Sequence, residues 1–281
     1  EISMWSGSKD CDDNTEAVKY LPQIRSLLFH GRNKEAQELT YRTFTCAGVG
    51  SNGGRSYAKP YGSYQIFGNV YLYYAMEGDV SCYRRELNLR DAVQTVSYCQ
   101  GGVNYRREIF ASYTDDVIVL RLSSDRRESI GFTLSADRKS NVPLNGRQSP
   151  VCSIEEGDLI FRGRLPSGKE ADSQAAFEGM EYEGRIRVLS GREAILKAED
   201  GTVELKGADE ALVLIGMKTD YFGEDCHAVL KEQVDRAASK SWKRLYKSHS
   251  DAFGSLFGRV SLDFGRDPAR EALPIDKRLE A

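Results

Sequence analysis

Between residues 64 and 217 apolar side chains recur at every second position in short runs. That period, and not the 3.6-residue period of a helix, most constrains what the chain can fold into. The runs fall at 64–74, 92–100, 103–111, 117–123, 130–136, 158–163, 183–189, 193–198, 202–206 and 211–217, rich in Val, Ile, Tyr and Phe and separated by turn residues. Two joints are especially clear. Gly101-Gly102 stands between Tyr98 and Val103, and Asp200-Gly201 between Lys197 and Val203; both dipeptides suit two-residue primed hairpin turns. The pattern predicts a mainly β fold, a large antiparallel β-sandwich (a supersandwich), with a few short helices near both ends.

The helices carry their own signals. Asp13 and Glu16 have capping-box spacing, Pro22 suits a first helical turn, and Gly31 stops a segment carrying Ile24, Leu27, Leu28 and Phe29. A second helix is expected at 34–43, then a long loop from Gly48 to Gly62. Near the other end, Val229, Leu230, Val234 and Ala237 mark one helix, and Trp242, Leu245, Tyr246, His249 and Phe253 mark another. A last strand is expected at 259–264. The sandwich domain is therefore placed at 1–264, with a helical insert at about 14–44 and helices at about 225–254; 265–281 reads as a linker.

Of 281 residues 39 are basic and 42 acidic, a net charge of −3, and acidic residues interrupt nearly every basic stretch, which argues against a nucleic-acid partner. No apolar run has the ~20 residues of a membrane-spanning helix, so no membrane partner is expected. The chain begins Glu1-Ile2-Ser3 without methionine or signal segment, as a processed product or an excised piece would. Cys11, Cys46, Cys82, Cys99, Cys152 and Cys226 are scattered without a CxxC pair, and the three histidines lie at no ligand spacing, so neither a metal site nor a cofactor is expected.

Chemistry-bearing candidates are few. Glu155-Glu156, Asp115-Asp116 and Glu224-Asp225 are paired carboxylates, but all fall at predicted turns and are expected to be solvated. His249 lies on the apolar stripe of a helix, where a buried, hydrogen-bonded histidine is expected. The glycines 48, 50, 53 and 54 lack the strand-before, helix-after context of a phosphate loop. The aromatic crowd of Tyr57, Tyr61, Tyr64, Phe67, Tyr71, Tyr73 and Tyr74, with Trp5, could offer flat faces to sugar C–H groups. Tyr71 and Tyr73 share one strand face, and the competing expectation is that they pack between layers.

Several segments in order resemble the amino-terminal region of glycoside hydrolase family 95, the inverting α-L-fucosidase and α-L-galactosidase family. They are Glu1 to Gly7 (Glu-x-x-x-Trp-Ser-Gly); Leu21-Pro22-Gln23-Ile24-Arg25 through Gly31-Arg32 and Glu35-Ala36; Tyr64-Gln65 with Gly68-Asn69; Tyr83-Arg84-Arg85-Glu86-Leu87-Asn88-Leu89 with Tyr105-x-Arg107-Glu108-x-Phe110-Ala111-Ser112; and His249-x-x-x-Phe253-x-x-Leu256-Phe257-x-Arg259-Val260-x-Leu262. Ile66 replaces the family's proline and Asn69 its aspartate.

The resemblance implies a non-catalytic β-sandwich that precedes a linker and an (α/α)6 barrel lying beyond this chain. It further implies that an amino-terminal piece of the sandwich is absent. No catalytic residue carries over, because the family's acid and water-activating groups are in the barrel. Trp5, Ser6, Tyr64 and Gln65 are the candidate substrate-binding residues, a fucosylated oligosaccharide and the chain's own barrel the expected partners, and the periplasm or cell exterior the expected compartment. A free-standing carbohydrate-binding or structural interaction domain is the alternative.

Overall fold

The computed structural model describes residues 3–5, 14–44, 64–75, 78–138, 151–165, 179–191 and 194–280, without the side chains of Ser3, Tyr64 and Gln65. The described strands are β1 (Ser3–Trp5), β2 (Tyr64–Ile66), β3 (Asn69–Tyr73), β4 (Val80–Asn88), β5 (Val93–Gln100), β6 (Val103–Ser112), β7 (Val117–Ser124), β8 (Ile130–Asp137), β9 (Val151–Glu155), β10 (Asp158–Arg164), β11 (Glu181–Ser190), β12 (Ile195–Glu199), β13 (Thr202–Ala208) and β14 (Glu210–Thr219). The helices are α1 (Leu21–Phe29), α2 (Asn33–Thr43), α3 (Cys226–Ala238), α4 (Trp242–Phe257), α5 (Pro268–Glu271) and α6 (Ile275–Glu280).

An eight-stranded sheet in the order β4-β5-β6-β7-β14-β11-β10-β9 faces a four-stranded sheet in the order β12-β13-β8-β3, and β1 pairs with β2. The protein is mainly β, with antiparallel sheets and short helices toward both ends. Alternation sorts side chains between two layers. One face of the large sheet, with Leu122, Leu159, Phe161, Tyr182, Ile186 and Val213, meets Phe132, Leu134, Val203 and Leu205 of the small sheet. Its other face, with Val93, Phe110, Val117, Val119 and Leu214, packs against Leu230, Val234, Ala237 and Leu245 of α3 and α4. Helices α1 and α2 close a separate cluster of Ile24, Ala36 and Leu39.

Both predicted hairpins form. Gly101 and Gly102 have φ of 56° and 71°, and Asp200 and Gly201 of 49° and 71°, the left-handed pair that a primed turn requires. The expected strand at 64–74 is two strands: Phe67 turns inward at 4% exposure and the run breaks at Gly68. A Cβ on Gly68 would meet Asp137 O at 3.0 Å and the Phe161 ring at 3.1 Å.

The expected strand at 259–264 is not one. Val260, Leu262 and Phe264 alternate but are 83, 77 and 90% exposed, and no described strand offers them backbone partners. Within 265–281 the short helices α5 and α6 form, with Asp267 capping the first through the amides of Ala269 and Arg270. The edge strands β4 and β9 have no counterpart among the expected runs; every residue of β4 is exposed, so no apolar alternation marks it. No described helix is long and apolar enough to cross a membrane.

Candidate functional site

Strand β1 lies along β2 with Trp5 opposite Tyr64 and Met4 opposite Gln65, so three of the four candidate residues meet across one short ladder. Ser6 lies outside the described residues, as do Tyr57, Tyr61, the glycine-rich loop at 48–62, Cys11 and Cys46. Met4 is buried in the inter-sheet core at 6% exposure, which fixes the ladder and leaves Trp5 half-buried at its rim. The Trp5 ring meets Tyr221 edge-on, with centroids 6.0 Å apart, and Tyr221 meets Phe222 in the same manner at 5.1 Å.

Together these rings border a cavity of about 370 Å³, floored by Phe67 and by the thioethers of Met4, Met180 and Met217, with Lys218 and Thr219 at its edge. Tyr221, Phe222 and the methionines were not singled out from the sequence. The signal was present in the aromatic pair directly following β14, but only the fold brings residue 221 to residue 5. Among the described residues no carboxylate lines this cavity. The described walls can stack on and enclose an apolar face.

Several described carboxylates elsewhere are occupied structurally. Asp225 caps α3 through the amides of His227 and Ala228, which hold its pKa down. Glu155, ending β9, takes two hydrogen bonds from Arg162 at 2.6 and 2.8 Å. Asp115 departs from the solvated turn expected of it: its side chain is 0% exposed, bonded to Lys240 and accepting from Ser112 at 3.0 Å and Ser248 at 3.3 Å. Burial alone would push this carboxyl up, and the hydrogen bonds and charge of Lys240, helped by Ser112 and Thr114, hold it below its ordinary value. Asp116 beside it is exposed, as expected of a turn.

A larger charged group lies beneath α3. Glu183 (0% exposed) accepts from Arg162 at 2.6 Å, Arg185 at 3.0 Å and His227 at 2.6 Å; Asp158 (1%) accepts from Arg185 at 3.0 Å and Arg187 at 2.7 Å. The hydrogen bonds that Arg187 donates to Asp158, with the one it donates to Asp235, raise its pKa further. Sealed from solvent and each accepting three hydrogen bonds, these carboxylates are closed to a substrate.

His249 is 4% exposed, donates from Nε2 to the carbonyl of Asp91 at 2.9 Å and stacks on Phe110 at 4.4 Å, as its helical position predicted. The thiols of Cys82, Cys99, Cys152 and Cys226 are free, and burial, with nearby Asp220 and Glu181, pushes Cys226 up to about 11, leaving it a thiol at neutral pH. Among the described residues no cluster of His, Cys, Asp and Glu is disposed to hold a metal ion.

With this geometry established, three comparisons bear on identity. Residues 1–224 match the family described as "Glycosyl hydrolase family 65, N-terminal domain". The chain is 26% identical over 297 aligned residues to "Alpha-L-fucosidase 2" of Arabidopsis thaliana, covering 97% of this chain and 33% of that protein. It is 26% identical over 215 aligned residues to "Probable alpha-fucosidase A" of Aspergillus niger, covering 72% of this chain and 26% of that one. The chain thus spans a third or less of the length of these curated relatives. A solved structure, "Putative kojibiose phosphorylase from human microbiome", superposes with a TM-score of 0.44 at 11% identity, over 64% of this chain and 25% of that one. A sandwich of two antiparallel sheets, matched by that family's model over residues 1–224, places this chain in the glycosyl hydrolase family 65 N-terminal domain family.

Proposed function

We propose that this chain is the non-catalytic N-terminal sandwich of a glycoside hydrolase that cleaves α-L-fucosides from fucosylated glycans. The catalytic groups belong to an (α/α)6 barrel encoded elsewhere in the same protein. In this reading 1–264 is the sandwich and 265–281 the connection toward the barrel. The protein works in the periplasm or outside the cell, where such glycans occur. The observation that carries the reading is the Trp5 cavity, aromatic and apolar on its walls and without a carboxylate among its described lining residues. Such a site can hold the C–H face of a sugar while the acid and the activated water come from another domain. Trp5, Ser6, Tyr64 and Gln65 border the sugar, with Tyr221 and Phe222 completing the wall.

The experiment is hydrolysis of an aryl α-L-fucoside by this chain beside the full-length gene product. Activity in the longer protein alone, with a raised KM and nearly unchanged kcat in its Trp5→Ala variant, supports the reading. Hydrolysis by the short chain overturns it.

A further inference from the structure

Tyr71 and Tyr73 do not pack between the layers, contrary to one expectation from the sequence. Val70, Leu72 and Tyr74 take the inward positions of β3 and join the core; Tyr71 and Tyr73 face outward, with rings stacked at 6.1 Å and 25°, and Tyr73 is 58% exposed. The strand register continues this outer face across the small sheet. Tyr71 lies opposite Ser135, and Ser135 opposite Thr202. Tyr73 lies opposite Thr133, Thr133 opposite Glu204, and Glu204 opposite Lys197.

The face therefore presents two parallel aromatic rings beside a field of hydroxyls. Its charged groups are Glu204, bridged to Lys206 at 2.6 Å, Lys197 and Glu199 on β12, and Asp137, which accepts from the Tyr71 hydroxyl at 3.2 Å and from Asn69 at 3.0 Å. None of the described hydrophobic clusters includes a residue of this face. At its Tyr73 end it runs into a cleft of about 390 Å³ lined by Tyr73, Thr133, Glu204 and Lys206, with Gln100 and Arg126 reaching over from the large sheet. A bulge between Leu205 and Ala208 bends β13 at this point.

We infer that the outer face of the small sheet, centred on Tyr71 and Tyr73, is a binding platform for a neutral oligosaccharide chain. The stacked rings match the C–H faces of sugars, the threonine and serine hydroxyls and the Glu204–Lys206 pair match their hydroxyl groups, and Lys197 and Lys206, set against Glu199, Glu204 and Asp137, leave no surplus of positive charge to hold an anionic glycan. The platform is distinct from the Trp5 cavity. Phe67 lines that cavity and Tyr73 this cleft, and the two share no described lining residue. It does not depend on the fucoside reading.

The test is calorimetric titration of the full chain with cellohexaose and with maltohexaose, up to millimolar concentrations. Binding of either, weakened about tenfold in Tyr73→Ala, retained in Tyr73→Phe and unaffected in Trp5→Ala, supports the platform. Because Tyr73 is exposed, its alanine variant is expected to keep the wild-type circular dichroism and Tm. Binding lost in Trp5→Ala but kept in Tyr73→Ala assigns the sugar to the cavity and overturns the platform. No binding of either hexasaccharide, or dimerisation abolished by Tyr73→Ala, overturns it too, the latter by giving the face to a second copy of the chain.

Discussion

The two faces of β11 put opposite chemistries into equally dry surroundings. On the inter-sheet side Tyr182, Ile186 and Val188 are at most 4% exposed and touch Phe161, Leu134 and their neighbours in an apolar core. On the other side Glu183 and Arg185, at 0 and 3%, are covered by α3 and must pair with Asp158, Arg162 and His227. The first face is stabilised by area removed from water. On the second, desolvation offsets much of what the charges gain from one another, so its worth lies in every partner being present. Near neutrality of the whole group is what permits it to be buried.

The comparison can be broken from either side. The largest effect is expected on the apolar face: Phe161→Ala empties a ring that touches Phe67 and fills the space over Gly184, and should cost about 3–5 kcal/mol in chemical denaturation. A cost below about 1 kcal/mol would mean the sheets collapse into the void. Next, Arg185→Met keeps the volume but takes one buried partner from each of Glu183 and Asp158, and is expected to cost about 3 kcal/mol, measured in the same way. Replacing Glu183, Asp158 and Arg185 together by apolar residues should recover most of that loss. If it does not, the network contributes more than the burial it replaces.

The smallest effect sharpens the comparison through pH. The Asp115–Lys240 bond ties the β6–β7 turn to the end of α3, and the folded Asp115 pKa lies below its unfolded value of about 3.9. Its stabilisation is complete above that unfolded value and is lost as pH falls through the folded one. Lys240→Ala should therefore cost about 2 kcal/mol at pH 7 and progressively less in acid. A Tm difference from wild type that stays constant down to pH 2.5 would sink this assignment.

Much of the architecture was legible in the residues. The alternation of Val117 and Val119 or of Phe132 and Leu134 dictates strands, and Gly101-Gly102 and Asp200-Gly201 dictate their hairpins. The stripe of Leu230, Val234 and Ala237 dictates a helix lying on a sheet. Strand β4 was not legible: it reads Val-Ser-Cys-Tyr-Arg-Arg-Glu-Leu-Asn, in which no buried face imposes a pattern. Nor was the fate of Val260, Leu262 and Phe264, whose alternation is that of a strand, because alternation reports a preference and a strand also needs a neighbour.

Of the candidate site, the sequence supplied Trp5, Tyr64 and Gln65, and the register Trp5 to Tyr64 joined them. It did not supply Tyr221 and Phe222, more than two hundred residues away along the chain. Nor did it reveal which face of β3 turns inward, since Tyr71 and Tyr73 are as apolar to a periodicity count as Leu72 and Tyr74.

What the sequence determined by itself is local: the strand period, the turn chemistry, the helix caps and the balance of charge, all set by interactions among near neighbours. What only the tertiary structure decided is the assignment of faces. A period of two tells that alternate side chains part company, but which set is buried depends on which sheet or helix arrives to cover it. That arrival buried Glu183 and Arg185 under α3 and left Tyr71 and Tyr73 facing outward.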